Sequence, residues 1–398
     1  MNIPRSNAKQ NARSTTLRDR FAHSEMVSLT EQHVRYDLAE SVSKDLTLID
    51  ILSETDYKKF ASTPLEYSSA AGNPQLRAAI AARYSNVCAD DVVITQGGMH
   101  SLFLIGQILG CDGGEFLIHE PGFPLTMMAL QSDVFLAKRF TSNFNNHYQI
   151  KPADLRLQLS SLTKLVCIEN PRNPSGVSVS SSTIVQLLTV LREQCPNAFL
   201  LVDETYREAR YSVEPAKSSA IELDGESADP RLVISGSLSK SHGAPGLRLG
   251  WVITRNNWLR EQLVRGKFQT IIANGTLDEL LALIILQQED SILLPRQEQL
   301  AQGKALVKRW VNDHSEFVLW IEPDAGALCC VCLREDKFNA TAVKTFYEAL
   351  ERRGVRVAPG NWFGDSERVF RIGFGLMALE DTQAALQETS YALADALG

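Results

Sequence analysis

The chain has 398 residues, of which 44% are apolar and 22% charged, a composition typical of a soluble globular protein of about two or three domains. Its 40 basic and 47 acidic side chains give a net charge of −7, with no like-charge run long enough for a nucleic-acid arm. No apolar stretch approaches the roughly 18 residues of a membrane span. These features exclude nucleic acid and membranes as expected partners.

The seven cysteines, an odd number in burial-prone surroundings, are typical of a reduced, cytoplasmic protein. Cys329 and Cys332 form a C-x-x-C, but they lie in the apolar run LCCVCL, which predicts a buried strand. Structural zinc sites need four ligands, and no second pair accompanies this one, so we expect no metal. The polar N-terminal segment (1–35) has no apolar signal core, and we expect it to be flexible.

From residue 92 onward, short apolar runs alternate with helix-like segments. The runs that predict strands are VVIT (92–95), EFLIH (115–119), LVCIE (165–169), FLLVD (199–203), RLVIS (231–235) and LGWVI (249–253). Such runs predict a parallel or mixed sheet buried on both faces, with ligands beyond the carboxyl ends of its strands. After about residue 275, long helical patterns such as LDELLALIILQQ predict a second, α+β domain.

Lys240 lies in ISGSLSKSHGAPGLRLGWV (234–252), among small residues and before glycines at 243, 246 and 250. A backbone with so few large side chains is expected where another group approaches closely. On this segment alone, an ordinary surface lysine in a glycine-rich loop remains an alternative.

Three further segments present polar groups after predicted strands. Asp203 ends FLLVD, where a buried acid needs a partner such as a cationic pyridinium nitrogen, although an Asp capping the next helix is an alternative. NPRNPSG (170–176) holds Asn173 in a rigid turn, and turn formation alone explains its composition. TQGGMHSLF (95–103) joins a strand to a helix through Gly-Gly, which makes an anion site at the start of the helix.

Together and in this order, the segments resemble fold-type I pyridoxal-phosphate enzymes, specifically the class I and II aminotransferases of the aspartate aminotransferase superfamily. The resemblance runs from about residue 36 to the C-terminus. It rests on YSSAAGNPQLRAAI (67–80), TQGGMHSLF, EPGFP (120–124), NPRNPSG, DETY (203–206), SLSK (237–240), GLRLGW (246–251), PGNWF (359–363) and FRIGFG (370–375). Each motif is modest alone, and their shared order is what is specific.

The resemblance implies pyridoxal 5′-phosphate (PLP) as the cofactor. Lys240 matches the lysine that forms the internal aldimine and moves the proton, and Asp203 matches the acid that keeps the pyridine nitrogen protonated. Asn173 and Tyr206 match the pair that hydrogen-bonds the phenolic oxygen, and Phe123 matches the ring stacked on the cofactor. The catalytic residues implied are thus Lys240, Asp203 and Tyr206. The phosphate ligands implied are Gly98, Met99, Ser237 and Arg248.

The resemblance also implies substrate and subunit contacts. Arg371 matches the arginine that binds the substrate α-carboxylate, with Asn173 beside it. Tyr67 matches the tyrosine that reaches the phosphate of a neighbouring subunit, which implies a homodimer with shared sites. Two departures stand out. Gly122 precedes Phe123 where Tyr-Trp or x-Tyr is more common, and His242 lies in a less common loop, where a structural role is the simpler expectation.

The resulting hypothesis is an aminotransferase that acts on an L-amino acid through a quinonoid intermediate. A PLP-dependent cyclase, lyase, decarboxylase or amino-acid oxidase, similar to capreomycidine synthase or the arginine oxidases, is the alternative, because these enzymes share the motifs. A non-enzymatic PLP-binding regulator is a distant third, since about 35 residues are too few for a winged helix-turn-helix.

The expected architecture is α/β, with a mixed, mostly parallel seven-stranded sheet between helices. We expect a large PLP-binding domain (46–275) and a small C-terminal α+β domain (36–45 with 276–398). Side-chain specificity is not marked by a motif, and Glu66, the 17–36 segment and the region near Asn274 are candidates by position.

Overall fold

The computed structural model describes residues 21, 23–212, 218–223 and 229–398. Most of the N-terminal segment that we predicted to be flexible therefore lies outside the described residues. Within the part that is described, a 3-10 turn (Glu25–Val27) leads into a short helix, α1 (Ser28–Glu31).

The described strands form three sheets. They are β1 (Tyr36–Asp37), β2 (Val92–Thr95), β3 (Gly114–Glu120), β4 (Phe135–Thr141), β5 (Thr163–Glu169), β6 (Phe199–Asp203), β7 (Leu232–Ser237), β8 (Gly250–Thr254), β9 (Val318–Trp320), β10 (Leu328–Leu333), β11 (Val355–Arg356), β12 (Ala358–Pro359) and β13 (Val369–Gly373). All six strands predicted from apolar runs are present.

The largest sheet has seven strands in the order β2-β8-β7-β6-β5-β3-β4. Every neighbouring pair is parallel except the two that involve β8, which runs antiparallel to both β2 and β7. This confirms the predicted mixed, mostly parallel seven-stranded sheet.

Both faces of this sheet are buried, as the continuous apolar runs predicted. In β6, Leu200 and Val202 belong to the apolar cluster on one face, whereas Phe199 and Leu201 belong to the cluster on the other. Because the strands are apolar on both faces, polar groups lie where the strands end.

The helices cover the sheets. They are α2 (Leu48–Ile51), α3 (Glu54–Ala61), α4 (Pro74–Ala81), α5 (Gly97–Leu109), α6 (Pro124–Leu130), α7 (Pro152–Gln158), α8 (Ser181–Gln194), α9 (Asn257–Ile271), α10 (Thr276–Gln287), α11 (Glu289–Asp313), α12 (Ala340–Arg352) and α13 (Leu379–Leu397). Asn73 caps α4 with its side chain, and Pro74 at the first helical position fixes the helical backbone angle there. Among the described helices, none is both long and apolar enough to span a membrane.

A four-stranded antiparallel sheet, β12-β13-β10-β9, forms a second centre of packing. The LCCVCL run is its strand β10, and Cys330 pairs with Arg371 of β13 across the ladder. An apolar cluster joins this sheet to α11, α12 and α13. The division of the chain at about residues 45 and 275 stays a prediction, although the seven-stranded sheet draws its strands from 92–254 and the four-stranded sheet from 318–373.

Candidate active site

A cavity of about 200 Å³ opens at the carboxyl ends of β5, β6 and β7. Its lining residues are Gly98, Met99, Leu102, Phe123, Glu169, Asn173, Asp203, Thr205, Tyr206, Ser237, Ser239, Lys240, Pro245 and Arg248. The structure thus gathers nine of the predicted site residues, which come from five separate loops, around one space.

Lys240 lies three residues beyond the end of β7, and its side chain lines this cavity. Burial lowers the pKa of its amine, and the cationic Arg371 and Arg248 lower it further, against the attraction of Glu40. A neutral amine is both a nucleophile and a proton acceptor, so the surroundings favour the form that chemistry at this position needs.

Asp203 is the last residue of β6 and lies in register with Glu169, the last residue of β5. Its Oδ1 accepts hydrogen bonds from the Thr205 amide at 3.0 Å and the Thr205 hydroxyl at 2.6 Å. Burial raises the pKa of Asp203. A cationic ligand nitrogen beside this carboxyl would reverse that shift by stabilising the carboxylate.

The start of α5 forms one wall of the cavity. Gly97 has a positive φ of 72°, and the Arg248 side chain lies so close that a Cβ on Gly97 would come within 2.5 Å of its Nη2. Gly98 and Met99 follow in the first turn, where backbone N–H groups have no partner within the helix. The Ser237 hydroxyl lies 3.1 Å from the Leu249 carbonyl and 2.8 Å from the Ser239 hydroxyl, and it would have to turn its hydrogen from these acceptors to donate to a phosphate.

Arg371, on β13, is 1% exposed and does not itself line the cavity, although its hydrogen-bond partner Asn173 does. Its Nη1 donates to Asn173 Oδ1 at 2.8 Å and its Nη2 donates to the Ala39 carbonyl, while Nε is buried without a hydrogen-bond partner among the described residues. Burial lowers the pKa of the guanidinium. A buried cation with an unused donor is a site for an anion such as a carboxylate.

Tyr206 is buried, and its hydroxyl lies 2.8 Å from the Ser41 hydroxyl. Burial raises the pKa of the Tyr206 phenol, so at neutral pH it is a hydrogen-bond donor as well as an acceptor. Phe123 precedes α6, and its backbone N–H donates to Glu169 Oε1 at 2.9 Å.

Three residues singled out from the sequence lie elsewhere. Tyr67 is 81% exposed and does not line the cavity of its own chain. His242 is buried, with Nε2 at 2.7 Å from Glu289 Oε1 at the start of α11, and it does not line the cavity. Asn274 is buried and donates to the Thr95 carbonyl at the end of β2.

Sequence reasoning missed several residues of the cavity. They are Leu102, Glu169, Thr205, Ser239 and Pro245, together with Ser41, which contacts Tyr206. Five of the six lie within or directly beside the motifs that had been recognised. Ser41 carried no signal, because its role depends on a contact with a residue 165 positions away.

The cavity fits PLP on the evidence of its own groups. An amine of lowered pKa, a carboxyl at a strand end and the first turn of a helix line it, and a buried arginine with an unused donor is hydrogen-bonded to its lining residue Asn173. These groups suit an aldehyde, a ring nitrogen, a phosphate and a substrate carboxylate, respectively. The fold and the cavity therefore define the class of protein, a fold-type I PLP-dependent enzyme.

Comparison with known proteins identifies the family. A family model described as aminotransferase class I and II matches residues 35–388. The chain belongs to this family.

Its relatives include more than one kind of enzyme. Capreomycidine synthase of Streptomyces vinaceus is 29% identical over 322 residues, which are 80% of this chain and 79% of that protein. Aspartate aminotransferase from Thermus thermophilus superposes with a TM-score of 0.82 at 18% identity, covering 94% of this chain and 97% of that one. A structure titled PLP-dependent cyclase OrfR superposes with a TM-score of 0.79 at 24% identity, covering 96% and 99%. At such identities the two superpositions establish the fold alone.

Proposed function

We propose that the protein is an aminotransferase that transfers the amino group of an L-amino acid to a keto acid, with PLP held in the cavity around Lys240. The observation that carries the proposal is that Lys240, Asp203 and Asn173 line one cavity. Asn173 also accepts a hydrogen bond from Arg371, and the chain belongs to the aminotransferase family. Fold alone would not support a reaction, because the same fold hosts several.

The residues assigned to the cofactor each have a physical reason for that role. Lys240 would hold the aldehyde carbon and Asp203 the ring nitrogen, while Asn173 and Tyr206 would face the phenolic oxygen and Phe123 the ring. The phosphate would lie among Gly98, Met99, Ser237 and Arg248. Bound there, PLP would supply a carbonyl for the substrate amine and a ring that withdraws electrons from the α-carbon.

Two of the chain's own groups would act on the substrate. Arg371 would bind the α-carboxylate, and Asn173 would fix the orientation of Arg371 through its Oδ1. The Lys240 amine, whose pKa is lowered by burial, would accept the α-proton in its neutral form and return it in its cationic form.

A cyclisation or elimination reaction is the second candidate, because relatives named as a capreomycidine synthase and a PLP-dependent cyclase accompany the aminotransferases. Such reactions begin with the same proton removal, so the residues described do not separate them. The experiment that does is incubation of the purified protein, PLP and each L-amino acid with a keto acid. Transamination predicts a new amino acid derived from that keto acid, whereas the second candidate predicts none.

We further infer that the protein is a homodimer in which Tyr67 serves the partner's site. Tyr67 and Leu65 are 81% and 83% exposed, which is costly for two apolar side chains only two positions apart. Ser68 holds this segment in place by donating to Glu279 Oε2 of α10. A rigid segment that presents apolar side chains is suited to a protein interface.

We also propose a cytoplasmic location. All seven cysteines are free, and four of them are buried. Unpaired buried thiols are typical of a reducing compartment.

A further inference from the structure

Glu169 connects two loops of the cavity. It is the last residue of β5, and its carboxylate accepts the Phe123 amide at 2.9 Å through Oε1 and the Asn173 amide at 3.0 Å through Oε2. Each oxygen therefore holds a different loop. One loop is EPGFP, whose Phe123 lies 46 residues before Glu169, and the other is NPRNPSG, whose Asn173 lies four residues after it.

The two amides belong to residues with defined places in the cavity. Phe123 lines the cavity around Lys240 and also a second cavity of about 210 Å³, and Glu169 lines both as well. Its side chain packs against the apolar cluster that contains Met26 and Phe363, while the backbone hydrogen bond to Glu169 holds the loop that carries the ring. Asn173 in turn accepts a hydrogen bond from Arg371, which links Glu169 to the proposed carboxylate site.

The electrostatic surroundings make Glu169 costly to keep as a carboxylate. Burial and the neighbouring carboxyl of Asp203 raise the pKa of Glu169 to about 7, against the two amide hydrogen bonds and the attraction of Arg172. Cys167 and Tyr206 are further titratable groups whose charge interacts with Glu169. A neutral side chain would avoid this cost, so the carboxylate is expected to perform a function.

We propose that Glu169 is a positioning residue that holds Phe123 against the cofactor ring and Asn173 against both the ring oxygen and Arg371. The inference rests on the proposed function, since it assumes that PLP occupies the cavity. A carboxylate can accept both amide hydrogens at full strength, whereas an amide side chain has one accepting oxygen and must release one loop.

The chain offers a matched control in Glu204. It is 5% exposed, and burial raises its pKa to about 7, as for Glu169. Its carboxylate also fixes a loop, accepting the Ser219 hydroxyl and the Ala220 amide, both at 2.7 Å. However, it lines a different cavity from the one around Lys240.

The test compares Glu169→Gln and Glu169→Asp with Glu204→Gln. Dissociation constants for PLP are measured by titration of the cofactor-free proteins, and amide hydrogen exchange of Phe123 and Asn173 is followed in the same cofactor-free samples. We expect both Glu169 variants to bind PLP about tenfold more weakly, since losing a hydrogen bond to a charged group typically has at least that effect. Faster exchange is expected at one or both of the two amides. Glu204→Gln should match the wild type in both measurements.

The pH profile separates positioning from a general structural role. Below its pKa of about 7, Glu169 gains a proton and loses an accepting position, so PLP binding by the wild type should weaken as the pH falls from 8 to 6. Glu169→Gln should lack this component of the profile, and Glu204→Gln should retain it.

The positioning role would be overturned if Glu169→Gln and Glu169→Asp matched the wild type in PLP affinity, amide exchange and pH profile. That result would leave the proposed function intact. Failure of the wild type to bind PLP would instead overturn the proposed function and this inference together. If Glu169→Gln does not fold, Glu169→Asp still tests the positioning role, because it keeps the charge but has a shorter side chain. Its PLP affinity and amide hydrogen exchange are then compared with those of the wild type.

Discussion

The proposed chemistry of Lys240 depends on the surroundings of its amine, since most lysines in a protein are exposed and protonated. Burial lowers the pKa of the amine, and Arg371 and Arg248 act in the same direction. Glu40 opposes them, so burial and these three side chains together set how much of the amine is neutral at a given pH. An exposed lysine would be almost fully protonated at neutral pH and would serve poorly as a base.

Replacing this amine should therefore slow the reaction strongly while leaving the fold intact. Lys240→Ala is expected to reduce the rate of amino-group transfer by roughly 100- to 10,000-fold, the usual contribution of one general base. The measurement is a steady-state rate with the visible spectrum of bound PLP recorded alongside.

Lys267 provides the control. It is fully buried with no hydrogen-bond partner for Nζ in the described structure, and burial lowers its pKa to about 8, but it does not line the cavity. Lys267→Met should keep the activity. If Lys267→Met lost as much activity as Lys240→Ala, the loss would reflect the removal of a buried lysine and not the chemistry of Lys240.

Single residues of the site were predictable when they belonged to a motif. Lys240, Asp203 and Asn173 line the cavity as expected. Ser41 and the role of Glu169 were not predictable, because their contacts join segments far apart in the chain. A one-dimensional pattern carries no signal for such a pair unless its members also shape the local backbone.

At the scale of elements, the proposed phosphate site depends on the packing of β8 against the start of α5. A Cβ on Gly250 would lie 2.6 Å from the Gly97 carbonyl carbon and 2.7 Å from the Gly98 nitrogen. Backbone atoms cannot rotate away as a flexible side chain can, so the helix start would have to shift. The glycine at position 250 is required because the strand and the helix meet there.

Gly250→Ala should accordingly weaken PLP binding, by about tenfold or more, because the N–H groups of α5 would lose their alignment with the phosphate. Gly246→Ala is the control, since a Cβ there would meet nothing within 4 Å. Binding is measured by titration of both variants with PLP. Equal PLP affinities of Gly250→Ala and Gly246→Ala would mean that the proposed phosphate site does not depend on this contact.

Elements were predictable where burial is uniform. The strands β2, β5, β6 and β7 are continuous apolar runs because both faces of the sheet are covered. Strand β4 was missed because it is an edge strand whose exposed and buried positions are mixed, so FLAKRFT gives no apolar run. The order of the strands was not predicted from hydropathy either, since pairing depends on how the connections cross the sheet.

At the scale of the whole molecule, the position of Tyr67 bears on assembly. The resemblance of the sequence predicts that it contacts a phosphate, yet it is exposed and outside the cavity of its own chain. Both facts agree if two copies associate so that Tyr67 of each copy reaches the cavity of the other. The expected partner surface is apolar and includes Leu65.

The protein should therefore sediment as a dimer, and Tyr67→Phe should bind PLP several-fold more weakly through loss of a hydrogen bond to the phosphate. Tyr57→Phe, at a partly exposed tyrosine in α3, should bind PLP as the wild type does. A monomer with full PLP affinity, or a Tyr67→Phe variant with wild-type affinity, would contradict the shared site.

The central claim is transfer of the amino group, and a single-turnover experiment tests it most directly. The protein loaded with PLP is mixed with its best amino acid in the absence of any keto acid, and the keto acid, ammonia and cofactor forms are quantified. Transamination predicts keto acid and pyridoxamine phosphate in equal amounts with no ammonia. Unchanged PLP together with ammonia or a cyclised product would contradict it and identify the protein as one of the family's other catalysts.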